Sequence, residues 1–135
     1  MSEASSPSRL LGGIRGVWIG GFLIGTTTHV ADLVLAGTNV YDGFPIAIRL
    51  FWVSLTLLDP LVAALLWFRL RAGVVLGVAV ILADIAINWS VFSTIGGLSL
   101  FGVVTQSLFA AFVVMTARPL WGSSRVAVAS PEHPA

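Results

Sequence analysis

Residues 72–92, AGVVLGVAVILADIAINWSVF, form an apolar run of 21 residues that contains one ionisable side chain, Asp84. An α-helix rises about 1.5 Å per residue, so a run of this length covers the roughly 30 Å hydrocarbon core of a bilayer. Inside that core the backbone must satisfy its own hydrogen bonds, which a helix does within one segment. The stretch therefore predicts a transmembrane helix, and this prediction decides the fold class.

Three further apolar runs of similar length lie at residues 14–36, 46–68 and 98–117. The connections between the four runs are short, so neighbouring helices are expected to lie antiparallel. The composition agrees, because 57% of the residues are hydrophobic, 10% are charged and the mean hydropathy is +0.99. We therefore expect an all-α integral membrane protein, an up-down bundle of four transmembrane helices. The flanking residues 1–13 and 118–135 are too poor in large apolar side chains to pack, and are predicted to be disordered.

Charges near the helix ends predict the orientation of this bundle. Six arginines fall on one side of the four predicted helices, and only Arg49 falls on the other; the six are Arg9, Arg15, Arg69, Arg71, Arg118 and Arg125. The positive-inside rule places the arginine-rich side in the cytoplasm. We expect a multi-pass protein of the cell membrane with both ends of the chain cytoplasmic. Tryptophans near the helix ends, among them Trp18 and Trp52, are expected to lie in interfacial belts.

The composition also excludes several classes of partner and site. A net charge of +1 and the absence of a basic stripe argue against nucleic acid. Without cysteine there can be no disulfide, thiolate metal site or thiol nucleophile. The predicted helices contain one imidazole, His29, so we expect no metal and no cofactor. The expected partners are a lipophilic small molecule, membrane lipids and, in one interpretation, further copies of the chain.

Ionisable groups within the predicted helices are the strongest functional signal, because each costs several kcal/mol to place in a bilayer. Apart from the arginines near the helix ends there are four: His29, Asp32, Asp59 and Asp84. Helical spacing places them on stripes that combine polar and small residues, and these stripes are expected to face the interior of the bundle. Three other helix positions, Asn88, Gln106 and Thr56, continue the stripes with neutral polar groups.

The charges suggest acid–base chemistry. Three carboxyls and one imidazole in a low-dielectric pocket cannot all be charged, so one carboxyl is expected to be protonated while another stays ionised. An acid and a base would then lie in one place. We expect Asp84 to donate a proton, and Asp59 or the His29–Asp32 pair to accept one.

Further residues are candidates for orienting or binding a substrate. Asn88 and Gln106 would orient it by hydrogen bonds, and the π faces of Trp52 and Trp89 would meet a developing positive charge. Thr56 and Arg49 share the stripe of Asp59 and are the remaining candidates.

Structural roles are open for several of these residues. Asp59 precedes Pro60, so it is suited to cap a helix that restarts in mid-membrane. His29 and Asp32 are one turn apart and could neutralise each other, and Arg49 could anchor its helix at the interface. Trp89 could serve as a belt residue, and Thr56 and Gln106 as partners in interhelical hydrogen bonds.

The polar residues resemble those of a known membrane family. The pattern consists of a His followed within a turn by an acid (His29, Asp32), an acid on the next helix (Asp59), and Asn beside Trp on a later helix (Asn88, Trp89). It resembles the polar residues of the EXPERA group, the emopamil-binding sterol isomerases and their relatives. The spacings differ, and this chain has fewer helices. The resemblance implies a membrane pocket that protonates a double bond and stabilises the resulting cation.

Three hypotheses of function follow. The first is a small membrane enzyme that isomerises or cyclises a lipophilic substrate, such as an isoprenoid, sterol-like or polyketide molecule. The second is a proton- or cation-coupled transporter or channel subunit that oligomerises to enclose a path. The third is an accessory membrane subunit of a larger complex.

Overall fold

The structure, a computed structural model, describes residues 6–126. It confirms the predicted fold class, because its four α-helices are all long and apolar enough to span a membrane. These helices are α1 (Ser6–Ala36), α2 (Ile46–Trp67), α3 (Arg71–Thr94) and α4 (Leu100–Gly122). A short 3-10 turn, Gly37–Asn39, follows α1.

The helices α1 and α4 extend beyond the predicted runs. Residues 6–13 and 118–122, predicted to be disordered, belong to these helices. At the start of α1, Pro7 lies in the first turn, where its fixed φ suits a helix and its missing N–H costs nothing. At the end of α4, Leu120 is fully buried and Trp121 packs under the Arg71 guanidinium. Residues 1–5 and 127–135, for which disorder is also predicted, lie outside the described residues.

The connections show why the helices turn where they do. The α2–α3 turn places Arg69 at φ +60°, and the Leu70 N–H reaches back to the Leu65 carbonyl. The helix α3 ends at Thr94 and is followed by Gly96 and Gly97, whose φ angles of +81° and +85° favour glycine. At the start of α4 the Ser99 hydroxyl accepts a bond from the Gly102 N–H, as an N-cap does.

The bundle has two distinct ends. We call the end that holds the α2–α3 turn and residues 123–126 the arginine end, and the end that holds residues 37–45 and 95–99 the loop end. At the arginine end Ser123–Arg125 pair with the α2–α3 turn, where the Arg125 N–H bonds to the Arg69 carbonyl at 2.8 Å and the Arg71 N–H to the Arg125 carbonyl at 3.0 Å. Residues 118–126 are therefore part of the fold.

The core lies between the four helices and is largest near the arginine end. Its fully buried side chains include Trp18, Val62, Leu66 and Val113. The Trp18 indole N–H donates to the Thr116 hydroxyl at 2.9 Å, which joins α1 to α4. Trp18 and Trp52 are both buried, so the prediction that they lie in interfacial belts is wrong: each has a hydrogen-bond acceptor on another helix.

The helix α2 is continuous through Pro60. The prediction that Asp59 caps a helix broken in mid-membrane is therefore wrong. Proline removes one N–H from the helix interior, and membrane helices tolerate this loss where neighbouring helices support them. Asp59 consequently lies within a regular helix and faces the interior of the bundle, where it is buried.

Candidate functional site

A cavity of about 790 Å³ lies between α1 and α4, towards the loop end. Its walls are mostly apolar side chains of these two helices, and α2 and α3 supply the polar back wall. Ile24 and Phe101 lie on the rim and are 70% and 80% exposed. In a bilayer such exposed apolar residues face lipid, so the cavity opens sideways into the hydrocarbon region.

Aromatic side chains fill the interior of the bundle on the arginine side of the cavity's polar wall. The Phe22 and Phe109 rings pack edge to face with centroids 5.6 Å apart, and Phe22 also packs against Trp18. Phe109 lies directly against Gly21, where a Cβ would collide with the ring. The helices α1 and α4 therefore touch closely near the arginine end and separate towards the loop end.

The polar wall is centred on Asp84, which is buried on α3. The side-chain amide of Asn88 donates to one carboxyl oxygen at 3.2 Å, and that of Gln106 donates to the other. Asn88 also donates to the Gln106 carbonyl at 2.6 Å, and accepts the indole N–H of Trp52 at 2.9 Å. These bonds fix the orientation of the carboxyl and join α2, α3 and α4 through side chains.

The second carboxyl of the wall belongs to Asp59 and has a different environment. It is buried and borders the cavity, yet it receives no hydrogen bond from the described residues 6–126. A Cβ placed on Gly25 would lie 2.5 Å from its Oδ2. Gly25 therefore leaves the space that the carboxyl occupies between α1 and α2.

His29 borders the cavity on α1 and belongs to a second group of polar side chains. Its Nδ1 lies 3.1 Å from the Tyr41 hydroxyl, and that hydroxyl donates to Asp32 Oδ2 at 2.9 Å. Asp32 lies outside the cavity, in a shallow depression on α1. Burial and the bond to Asp32 raise the pKa of Tyr41 above its usual value of 10.0.

The structure thus brings five of the predicted site residues to one cavity, namely His29, Asp59, Asp84, Asn88 and Gln106. The other five do not line it. Asp32 is linked to it through Tyr41, and Trp52 supports Asn88 from behind.

The remaining three residues have local partners away from the cavity. Arg49 pairs with Asp42 at 2.8 Å in the loop end, as an anchoring residue would. The Thr56 hydroxyl donates to the Val53 carbonyl of its own helix. Trp89 is exposed and donates to the Ser107 hydroxyl. None of these contacts points to a substrate.

Sequence reasoning missed Tyr41, because it lies in a connection rather than on a helix stripe. Its ring packs against Trp52 with centroids 4.9 Å apart, and its hydroxyl joins His29 to Asp32. The signal that could have found it is that Tyr41 is the single tyrosine of the chain and lies a few residues after the His29–Asp32 pair.

Comparison with known proteins adds no assignment to this geometry. Within the described residues, no three His, Cys, Asp or Glu side chains come together in a way that could hold a metal ion. No family model matches the chain, and no curated protein and no solved structure matches it significantly.

Proposed function

We propose that the protein is a membrane enzyme that transfers protons to and from a lipophilic substrate held in the cavity between α1 and α4. The observation that carries the proposal is one lateral cavity of about 790 Å³ with apolar walls and two buried carboxyls on its polar side. A cavity of this size suits a small molecule of the isoprenoid, sterol-like or polyketide class. Isomerisation or cyclisation requires only proton movement, so no cofactor is needed.

The hydrogen bonds favour different roles for the two carboxyls. Both oxygens of Asp84 accept amide N–H bonds, which favour the carboxylate form; as a carboxylate this group would stabilise positive charge and serve as the base. Asp59 has no such donors among the described residues, so an O–H on its carboxyl is free to donate into the cavity. The proposal thus reverses the assignment from the sequence, in which Asp84 is the donor.

Substrate would enter from the bilayer, between α1 and α4. Phe22 and Phe109 fill the interior of the bundle beyond the polar wall, and the side chains beyond them are packed around Trp18. This packing favours a blind pocket over a path across the membrane, and so favours an enzyme over the transporter hypothesis. The resemblance to the EXPERA group remains a prediction, consistent with protonation of a double bond.

The test uses purified protein in lipid nanodiscs, incubated in D₂O with the total lipid extract of the expressing cells and with a panel of isoprenoid, sterol and polyketide compounds. If an alkene carbon is protonated, we expect one compound to gain deuterium on carbon. If an epoxide oxygen is protonated instead, we expect the compound to change its chromatographic retention without changing its mass. Asp59→Asn and Asp84→Asn should abolish the conversion. Asp42→Asn, which changes a carboxyl outside the cavity, should retain it.

The same preparation distinguishes the transporter hypothesis. Proton or cation flux in liposomes that depends on a gradient and is lost in Asp84→Asn, with no chemical change in any compound, would overturn the enzyme proposal. Full conversion by Asp84→Asn and Asp59→Asn would remove the assigned site.

A further inference from the structure

The hydrogen bonds around Tyr41 connect the cavity to the loop end of the bundle. His29 borders the cavity, and its Nδ1 lies 3.1 Å from the Tyr41 hydroxyl. That hydroxyl donates to Asp32 Oδ2 at 2.9 Å. Asp32 is partly exposed in a shallow depression on α1 that adjoins the cavity, since Ile24 and Thr28 line both. Three side chains thus join the cavity to a partly exposed carboxyl near the loop end.

We infer that His29, Tyr41 and Asp32 form a proton relay between the cavity and the aqueous phase at the loop end. This inference deepens the proposed function, on which it rests for the source of the proton. After a turnover in which Asp59 gives a proton and Asp84 takes one, a hydrogen-bonded path to water would restore the starting protonation of both carboxyls. Phe22 and Phe109 pack on the arginine side of the polar wall, whereas Tyr41 lies in the loop-end connection, so these hydrogen bonds lead from the cavity towards the loop end.

Each transfer in the relay passes one proton on and receives one, so the number of protons is conserved. Because the Tyr41 O–H is donated to Asp32, its oxygen accepts the N–H of His29 Nδ1. The other ring nitrogen, Nε2, then carries a lone pair and has no partner among the described side chains. When Nε2 takes a proton from the cavity, the Nδ1 proton passes to Tyr41 and the Tyr41 proton passes to Asp32, which releases it to water. The reverse order returns a proton to the cavity.

Other groups around the relay fit this role. The Trp52 ring packs against Tyr41 at 4.9 Å between centroids and holds its hydroxyl in place. Two carboxylates act electrostatically on Tyr41, those of Asp32 and Asp84, and Asp32 also acts on His29. The nearby loop-end charges, Arg49 and Asp42, neutralise each other at 2.8 Å.

The test measures proton exchange directly and needs no substrate. The sequence has two histidines, so His133→Gln leaves His29 as the only imidazole. In this background, with ¹⁵N-labelled histidine and the full chain in nanodiscs, saturation transfer from water gives the exchange rate of the His29 N–H. The ¹⁵N shifts give the tautomer, which we expect to carry its proton on Nδ1.

Three variants separate the relay from a structural role. Tyr41→Phe removes the hydroxyl and keeps the ring, and Asp32→Asn keeps an acceptor for Tyr41 but cannot take up a proton. We expect each to slow exchange at least about tenfold. Thr26→Val, which removes a hydroxyl bonded only within α1, should leave the rate unchanged.

The outcomes distinguish this inference from the proposed function. Unchanged exchange in both Tyr41→Phe and Asp32→Asn would overturn the relay, even if conversion of a lipophilic compound is found. Slowed exchange without any conversion would support the relay and count against the enzyme. The melting midpoint of Asp32→Asn is measured as a control. If it equals that of the parent protein, slower exchange of the His29 N–H does not come from unfolding.

Discussion

Single glycines determine whether polar groups can lie between helices in this bundle. Gly25 and Asp59 are the clearest pair, because a Cβ at position 25 would lie 2.5 Å from the carboxyl oxygen. Gly16, on the same helix, has no atom within 4 Å of the place where its Cβ would be. The two positions therefore offer a matched comparison.

We predict that Gly25→Ala destabilises the bundle whereas Gly16→Ala does not. Alanine favours a helix by up to about 1 kcal/mol relative to glycine, so Gly16→Ala should keep or raise the melting midpoint. In Gly25→Ala this gain is opposed by displacement of the buried Asp59 carboxyl, and the midpoint should fall. Thermal melting of both variants in one detergent checks the prediction. Equal midpoints for the two variants would contradict the close packing of Gly25 against Asp59.

Tyr41 gives a prediction for alkaline pH. Its pKa is raised above 10.0 in the folded protein, by burial first and by the bond to Asp32 second. The unfolded chain therefore loses the phenolic proton at lower pH than the folded protein, and stability falls as pH rises above about 10. Below that range the stabilisation is fully present.

The measurement is simple because the chain has one tyrosine. Tyrosinate absorbance should appear near pH 10 in denaturant and at higher pH in the folded protein. Tyr41→Phe should remove the tyrosinate signal and that part of the stability loss. Coincident titration curves for the folded and denatured protein would show that the hydroxyl is not buried against Asp32.

At the scale of the helices, the contact between α1 and α4 lies on the arginine side of the cavity's polar wall. It depends on Trp18, whose indole N–H donates to Thr116, and on Arg15, whose guanidinium donates to Ser123 at 3.0 Å. Both contacts lie between the cavity and the arginine end. They position the two helices whose other halves form the cavity walls.

We predict that Thr116→Val lowers the free energy of unfolding by about 1–3 kcal/mol, because it leaves the buried Trp18 N–H without an acceptor. Thr26→Val removes a hydroxyl that bonds only to the Phe22 carbonyl of its own helix, so its effect should be within about 0.5 kcal/mol. Reversible unfolding in mixed micelles measures both. A Thr116→Val variant as stable as Thr26→Val would show that the indole bond does not hold α1 to α4.

The positions of the helices are predictable from the sequence, but the hydrogen-bond acceptors of their buried tryptophans are not. The run at residues 46–68 predicts α2 (Ile46–Trp67) closely, because apolar length is a property of the chain alone. Trp18 and Trp52 were assigned to the interface because tryptophan near a helix end is common there. Their acceptors, Thr116 and Asn88, are distant in sequence.

The candidate site shows the same limit. Stripe periodicity brought Asp84, Asn88 and Gln106 to one interior, since it depends on helix geometry. It could not find Tyr41, because a connection has no period. The expectation that Asp59 caps a broken helix came from the local Asp-Pro pattern, which does not reveal that neighbouring helices support α2 through Pro60.

At the scale of the whole molecule, the orientation in the membrane is testable from two exposed positions. Asn39 lies in the loop end, and Val126 follows the segment that pairs with the α2–α3 turn at the arginine end. Six of the seven arginines flank the arginine end, so we predict that this end is cytoplasmic. An impermeant maleimide applied to intact cells should label Asn39→Cys and spare Val126→Cys. The protein has no native cysteine, so the opposite labelling pattern would reverse the orientation.

The cavity lies between α1 and α4, the first and the last of the four helices in residues 6–126, and this has a consequence for biogenesis. When α3 has been synthesised, Asp59, Asp84 and Asn88 are already in the membrane, but α4, which supplies Gln106 and one wall, is still missing. The nascent chain therefore has polar groups facing lipid or the insertion machinery until α4 arrives. The last helix then completes the hydrogen bonds of Asp84, and Ser123–Arg125 join the α2–α3 turn directly afterwards. Insertion of α4 is thus the step that completes the polar wall of the cavity.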